Sequence, residues 1–116
     1  MTEDLYGATF GFNRFLAVGA QGTMIAGQSG ADWGVVGNQL TQSTLRSAAF
    51  GSILVAGATT AANIFVVVGD NGTVLRSEDA LTWTVVAPFT TANLRGVVFG
   101  GRFVAVGDDG TVFTST

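Results

Sequence analysis

Hydrophobic and polar positions alternate along most of this chain, which is the pattern of short β-strands. The apolar runs, such as Phe103-Val104-Ala105-Val106, are rich in the β-branched and aromatic residues that strands favour. Polar links with glycines separate them, and Gly69-Asp70-Asn71-Gly72 is one example. The pattern therefore predicts antiparallel strands that are largely buried between sheets and joined by tight turns.

The same strand pattern recurs three times. The phrase Phe-x-x-Val-Gly-x-x-Gly-Thr begins at Phe15, Phe65 and Phe103, and a Leu-x-x-x-x-Phe-Gly segment precedes each copy. Self-similarity at about 40 to 50 residues predicts a repeat architecture. We assign one domain, 1–116, with three repeats: 5–44, 45–93 and a truncated 94–116.

Each full repeat contains four predicted strands, A to D. In the second repeat they are Leu45–Phe50, Ile64–Gly69, Gly72–Ser77 and Trp83–Ala87. Four short antiparallel strands per repeat are typical of a propeller blade. Because the third repeat stops after strand C, the sequence predicts an all-β partial β-propeller with two four-stranded blades and one three-stranded blade. The B–C links are predicted as two-residue turns, with glycines flanking Asp70-Asn71 in the second repeat.

The segment between strands C and D of the second repeat carries Ser77, Asp79 and Trp83 in the order Ser-x-Asp-x-x-x-Trp. It resembles the Asp-box of BNR-type propellers, especially repeats like those of the photosystem II assembly factor. The resemblance implies that the Ser and Asp side chains hold the turn, as these residues readily do. It also implies that the Trp packs between blades. Only Trp33 of this motif is retained in the first repeat.

An insertion of about ten residues, at 52–63, separates strands A and B of the second repeat. It includes Ile53, Leu54 and Val55 and has no charged residue. An exposed apolar segment of this kind is an aggregation hazard unless something covers it. We expect an extended A–B hairpin that docks on a neighbouring subunit or larger assembly. The alternative is that it folds back over its own blades.

Composition favours association. Hydrophobic residues make up 47% of the 116 residues, and the mean hydropathy is +0.47. No run approaches the roughly 18 apolar residues of a spanning helix, so no membrane insertion is expected. The acidic start at residues 1–4 is unlike a signal peptide. Since propellers usually have about four to eight blades, we expect a homodimer that closes a six-bladed ring, with a five-bladed or other closure as the alternative.

The residue types restrict the chemistry. There is no Cys, His or Lys, and the formal net charge of −3 lacks the basic footprint of a nucleic-acid binder. Sialidases share the Asp-box, but they need an arginine triad and a Tyr–Glu nucleophile pair, whereas Glu3 and Glu78 are the only glutamates here. We therefore expect no enzymatic activity and no cofactor. The residue pairs Asp70-Asn71 and Asp108-Asp109 are expected to form turns and not to bind a metal.

One cluster is predicted as a ligand or partner site. The second position of strand A is Tyr6, Arg46 and Arg95 in the three repeats. Strand A is innermost in a propeller, so these side chains would lie at the mouth of the central channel. Arginines there would hold an anion or an acidic segment of a partner. The alternative, which we favour, is a solvated rim.

The leading functional hypothesis is a non-enzymatic, self-assembling structural or adhesion module that binds another protein as a virion or extracellular surface component. The resemblance implies this setting, because such repeats occur in phage and bacterial surface proteins. The alternative is a carbohydrate-binding lectin, with polar contributions from Asn38, Gln39, Gln42 and Asn93. A third interpretation, a piece of a longer propeller, accounts for the truncated third repeat.

Overall fold

The structure is a computed structural model that describes residues 4–11, 14–27, 34–35, 41, 43–53, 62–78, 83–86, 91–100 and 102–114. The strands are β1 (Leu5–Gly11), β2 (Arg14–Gly19), β3 (Met24–Gly27), β4 (Gly34–Val35), β5 (Leu45–Ile53), β6 (Ala62–Gly69), β7 (Val74–Ser77), β8 (Thr84–Val86), β9 (Leu94–Phe99), β10 (Phe103–Gly107) and β11 (Val112–Thr114). Within these ranges the only other elements are three short turns, at 20–22, 70–72 and 108–110. The all-β prediction is confirmed for this part of the chain, which contains no helix long and apolar enough to cross a membrane.

Each repeat forms one antiparallel sheet. Sheet 1 has the order β1-β2-β3-β4, sheet 2 the order β5-β6-β7-β8, and sheet 3 has three strands with β10 between β9 and β11. Neighbouring strands in each sheet are consecutive in the chain, so every sheet is a meander. This topology follows from short apolar runs joined by links that are too short for a crossover.

The three sheets stack face to face, with β5 lying between β1 and β9. One apolar cluster joins sheets 1 and 2, and a second joins sheets 2 and 3. Strand β6 contributes to both, because Phe65 and Val67 belong to the first cluster and Ile64 and Val68 to the second. Burial on both faces explains why this strand is a continuous apolar run and not an alternating one.

Every sheet has the same two faces. The aromatic face carries a tilted pair of phenylalanines with ring centroids 4.6 to 4.9 Å apart. These pairs are Phe10–Phe15, Phe50–Phe65 and Phe99–Phe103. The opposite, aliphatic face carries mainly Leu, Val and Met side chains from strands B and C of each repeat. The aliphatic face of one sheet packs against the aromatic face of the next.

The B–C turns differ from the prediction by one residue. In each turn two successive residues have positive φ, at 61° and 71° for Asn71 and Gly72. The amide of Thr73 donates to the Asp70 carbonyl at 3.2 Å, which closes a turn of type I′. The central pair is therefore Asn71-Gly72 and not Asp70-Asn71. Glycine takes the second left-handed position without steric cost, and Asp70 becomes the first residue of the turn.

The A–B hairpin of the second repeat continues into the insertion. The pairing of β5 with β6 extends through Ser52 opposite Asn63 to Ile53 opposite Ala62, beyond the predicted strand limits at Phe50 and Ile64. Leu54 and Val55 lie outside the described residues. The docking of this hairpin therefore stays a prediction.

Trp83 is expected to matter strongly for stability. It is 7% exposed, belongs to the cluster between sheets 1 and 2, and has its ring 6.4 Å from that of Phe65. Trp83→Ala should lower the free energy of unfolding by roughly 3–5 kcal/mol, because it leaves a large cavity. Val85→Ala is the control, since Val85 is 52% exposed on the adjacent strand and its truncation should cost less than about 1 kcal/mol. Urea denaturation at one fixed protein concentration measures both, and equal effects would contradict the assignment of Trp83 to the core.

Candidate functional site

The residues at the second position of strand A lie at equivalent β-bulges. In sheet 2, Leu45 is opposite Gly69 and Ser47 is opposite Val68, which leaves Arg46 as the extra residue. The registers of sheets 1 and 3 shift in the same way at Tyr6 and Arg95. Bulges redirect side chains, and here they produce one row of redirected residues across the three sheets.

A backbone hydrogen bond ties the first residue of each B–C turn to the residue that precedes strand A of the same sheet. The amide of Asp70 donates to the Thr44 carbonyl at 2.9 Å, whereas the preceding Gly69 amide donates across the turn to Thr73. The amides of Ala20 and Asp108 make the matching bonds to Asp4 and Asn93, both at 2.9 Å. The first residue of each B–C turn is thereby held beside the bulge of its own sheet.

In the second repeat this arrangement joins an arginine to an aspartate. The Nε atom of Arg46 donates to Oδ1 of Asp70 at 2.9 Å, and Nη2 donates to Oδ2 at 3.2 Å. The hydrogen bond that Arg46 donates to Asp70 raises the pKa of Arg46 above its ordinary value. The guanidinium carbon also lies 5.4 Å from the ring centroid of Tyr6, within the range of a cation–π contact. Arg46 thus links its own turn to the preceding sheet.

The third repeat contains the same ion pair in a more exposed setting. Nε of Arg95 lies 2.7 Å from Oδ1 of Asp108, and Nη2 lies 3.3 Å from Oδ2. The hydrogen bond from Arg95 lowers the pKa of Asp108 below its usual range, and the same bond raises the pKa of Arg95. Both groups are therefore charged at neutral pH.

The sequence pattern predicts Arg46 and Arg95 as site residues but does not predict Asp70 and Asp108 as their partners. The signal was present, since the turn position is Asp in the two repeats that have Arg at the bulge. In the first repeat both members differ, with Tyr6 at the bulge and Ala20 at the turn. Asp70 and Asp108 do lie in the turns, but as their first residues and not in the central pairs, and the prediction did not include an ion pair.

Asn93 connects two sheets. Its side-chain oxygen accepts the amide of Asn71 at 2.9 Å, and its carbonyl accepts the amide of Asp108. A second connection runs from the amide of Val97 to the hydroxyl of Ser47 at 3.1 Å. The side-chain oxygen and carbonyl of Asn93, a residue of the lectin alternative, are therefore engaged within the protein. Asn38, Gln39 and Gln42 lie outside the described residues.

In sheet 2 the two described Asp-box residues, Ser77 and Trp83, lie at the opposite end of the strands from the bulge at Arg46. Ser77 ends β7 and is 4% exposed, and Trp83 precedes β8 in the apolar cluster. Asp79 and Trp33 lie outside the described residues. Ile53 pairs with Ala62 at the opposite end of β5 from Arg46. The predicted site residues therefore fall into separate groups.

Only the row of Tyr6, Arg46 and Arg95, with its two aspartates, forms a cluster of functional side chains in the described part of the chain. The charges of both arginines are balanced by carboxylates of the same repeat. No group of His, Cys, Asp or Glu among the described residues could hold a metal ion. These three side chains form a partly exposed row of planar cationic and aromatic groups. Such groups are suited to contact with a protein surface.

No protein-family model matches the chain, and no curated protein is similar enough in sequence to be recognised as a relative. The resemblance to Asp-box propeller repeats therefore stays a prediction from the residues at 77–83.

The ion pair of the third repeat gives a pH-dependent prediction. Because the pKa of Asp108 in the folded protein lies below the ordinary 3.8, its carboxylate stabilises the folded state above that pH. The contribution is lost as pH falls through the lowered pKa. Asp108→Asn lacks it at every pH, so its melting temperature should be lower than that of the wild type at pH 7. The difference should shrink towards zero between roughly pH 4 and pH 2.

Asp109→Asn is the matched control for this measurement. Asp109 is the adjacent turn residue, has a φ of 60° that asparagine tolerates, and forms no ion pair with a described residue. Thermal scans by circular dichroism at fixed protein concentration compare the three proteins. A difference for Asp108→Asn that persists unchanged at pH 2 would show that the ion pair does not cause it.

Proposed function

We propose that the three sheets are blades of a β-propeller completed by self-association. In this proposal the protein is a non-enzymatic structural or adhesion module of a virion or cell surface, where it binds another protein. The observation that carries the proposal is the pair of apolar faces at the two ends of the stack. Propeller blades are four-stranded meanders that pack face to face around an axis. The meander order of each sheet and the central position of β5 between β1 and β9 support that arrangement.

Self-association is supported by what the stack leaves exposed. On the aromatic face of sheet 1, Phe10 is 52% exposed and Phe15 is 39% exposed. On the aliphatic face of sheet 3, Val98, Val106 and Val112 are 65%, 45% and 60% exposed. Contiguous apolar patches of this kind mark interaction sites, and terminal repeats of a stable solitary array usually have a polar outer face. Two chains would contribute six blades.

A binding role in place of catalysis is supported by the use of the polar side chains. The arginines at two of the bulges are paired with carboxylates, and the side chain of Asn93 accepts a backbone amide. These groups hold turns and sheets together, and a general acid or base would need a free proton-transfer position. The absence of His, Cys and Lys from the chain agrees with this proposal.

The first test is the mass of the protein in solution. Light scattering after size-exclusion chromatography should give about twice the 11.9 kDa of one chain at micromolar concentration. On dilution the oligomer should dissociate, and the protein concentration at which half of the chains are monomeric is the assembly midpoint. A monodisperse 12 kDa species across the whole range would rule out the self-assembling module.

The second test concerns the insertion. Gly51 and Ile64 are paired residues of the hairpin, so an Asn-Gly turn can replace residues 52–63 and join them directly. If the hairpin serves only to bind another protein, the shortened chain should keep its oligomeric mass and its melting temperature within a few degrees. Loss of the folded state would show that the hairpin belongs to the core and is not a surface for another protein. Glycan-array binding by the full chain would favour the lectin alternative.

A further inference from the structure

We propose that two copies join head to tail through a contact that repeats the internal contact between successive sheets. In this joint, Phe10 of a second copy packs on Gly100 of the first, and its Tyr6 lies beside Arg95. The inference rests on the proposed self-assembly. It adds the two surfaces that meet, their polarity and the residues that determine the fit.

The internal contacts provide the template. At the end of strand A, each repeat has the pair Phe-Gly. A Cβ atom added to Gly11 would overlap the ring of Phe50, and one added to Gly51 would overlap the ring of Phe99. In both cases the phenylalanine of one sheet lies directly on the glycine of the preceding sheet. Glycine is required at these two positions because any side chain would occupy the space of the ring.

The third glycine has no such ring on it. A Cβ atom added to Gly100 meets no described atom within 4 Å, and Gly100 is exposed. The phenylalanine at the corresponding position of sheet 1, Phe10, is 52% exposed. At one end of the stack no phenylalanine ring covers Gly100, and at the other end the ring of Phe10 does not lie on a glycine of another sheet. Two copies placed head to tail would supply each with the group that it lacks.

The surfaces around this contact have matching chemistry. Inside the chain, the aliphatic face of sheet 2, with Val66, Val68 and Val74, packs against the aromatic face of sheet 3, with Phe99 and Phe103. The corresponding residues of the unpaired faces are valines on sheet 3, at 104, 106 and 112, and Phe10 and Phe15 on sheet 1. A joint between copies would therefore bury the same types of side chain as the joints within a copy.

The row of bulges would continue across the joint. Inside the chain, Arg46 of sheet 2 lies over Tyr6 of sheet 1. Across the joint, Tyr6 of the second copy follows Arg95 of the first in the same row. The side chain of Arg95 is 51% exposed and lies at the open end of this row. An exposed guanidinium beside an exposed phenol ring favours a cation–π contact between copies.

This joint is heterologous, because the two surfaces that meet are different. A chain with one surface of each kind can form a ring in which every joint is satisfied. Six sheets from two copies satisfy both joints and fall within the usual blade number of about four to eight.

Gly100→Leu tests the contact itself. The φ angle of Gly100 is outside the left-handed region and the space around it is open, so the single chain should accept a side chain there. The assembly midpoint should rise at least about 100-fold, because the leucine occupies the place of the ring of Phe10. Gly34→Leu is the matched control. It adds the same side chain in open space on β4, on the face of sheet 1 that carries Leu16, and should leave the midpoint unchanged.

Mixing two defective variants tests the polarity. Phe10→Asp removes the ring from one surface, and Gly100→Leu blocks the other, so each variant alone should remain a monomer. In an equimolar mixture, the intact Gly100 of the first variant can receive the intact Phe10 of the second. Native mass spectrometry should then show a 1:1 heterodimer and no larger species.

The outcomes separate this inference from the proposed function. If the wild type is oligomeric and both variants assemble with its midpoint, the head-to-tail joint is wrong while self-assembly stands. If the variants are monomeric but their mixture gives no heterodimer, the joint is not heterologous and the inference is also overturned. A wild type that stays monomeric overturns the proposed function itself. Far-UV circular dichroism like that of the wild type establishes folding, and Phe10→Asp provides the midpoint test should Gly100→Leu be unfolded.

Discussion

The packing of a phenylalanine ring on a backbone glycine is the constraint on which the stack of sheets depends. Sheets that pack through ordinary side chains lie about 10 Å apart. At Gly11 and Gly51 the absence of a side chain lets Phe50 and Phe99 lie directly on the backbone. Because the same contact occurs in both internal joints, successive sheets have the same offset along the direction of their strands. That offset brings the bulges at the other end of strand A into one row.

The ion pairs depend on the register of the B–C turns. With Asn71-Gly72 as the central pair, Asp70 is the first residue of the turn and its carboxylate reaches the bulge at Arg46. A turn shifted by one residue would place Asp70 in a left-handed position and direct its side chain elsewhere. Ion pairs that solvent can reach contribute little to stability, because water screens them. Their main effect here is geometrical, since they hold a strand, a turn and a neighbouring sheet in one arrangement.

Much of the fold could be predicted from the sequence, because the repeated alternation of apolar residues specifies strands, and short links specify antiparallel neighbours. The turn register was missed because glycines flank Asp70-Asn71 on both sides, so the residue types alone permit two positions. The ion pairs were missed because the Arg of strand A and the Asp of the B–C turn come within reach of each other only through the bulge, which the residue types alone do not predict. The number of sheets could be anticipated from the three repeats, whereas the uncovered Gly100 could be recognised only from the positions of all three sheets.

The burial of sheet 2 on both faces has a consequence for the internal motions of the protein. Backbone amides exchange with solvent when the surrounding structure opens, and the opening free energy is largest where packing is densest. Phe65, Val67 and Val68 of β6 are fully buried, whereas β11 carries exposed side chains at the edge of a three-stranded sheet. In the single chain, hydrogen exchange should therefore proceed from β11 inwards, with β6 as the slowest of the described strands. The central repeat would then act as the persistent nucleus of the chain, around which the two outer repeats open and close.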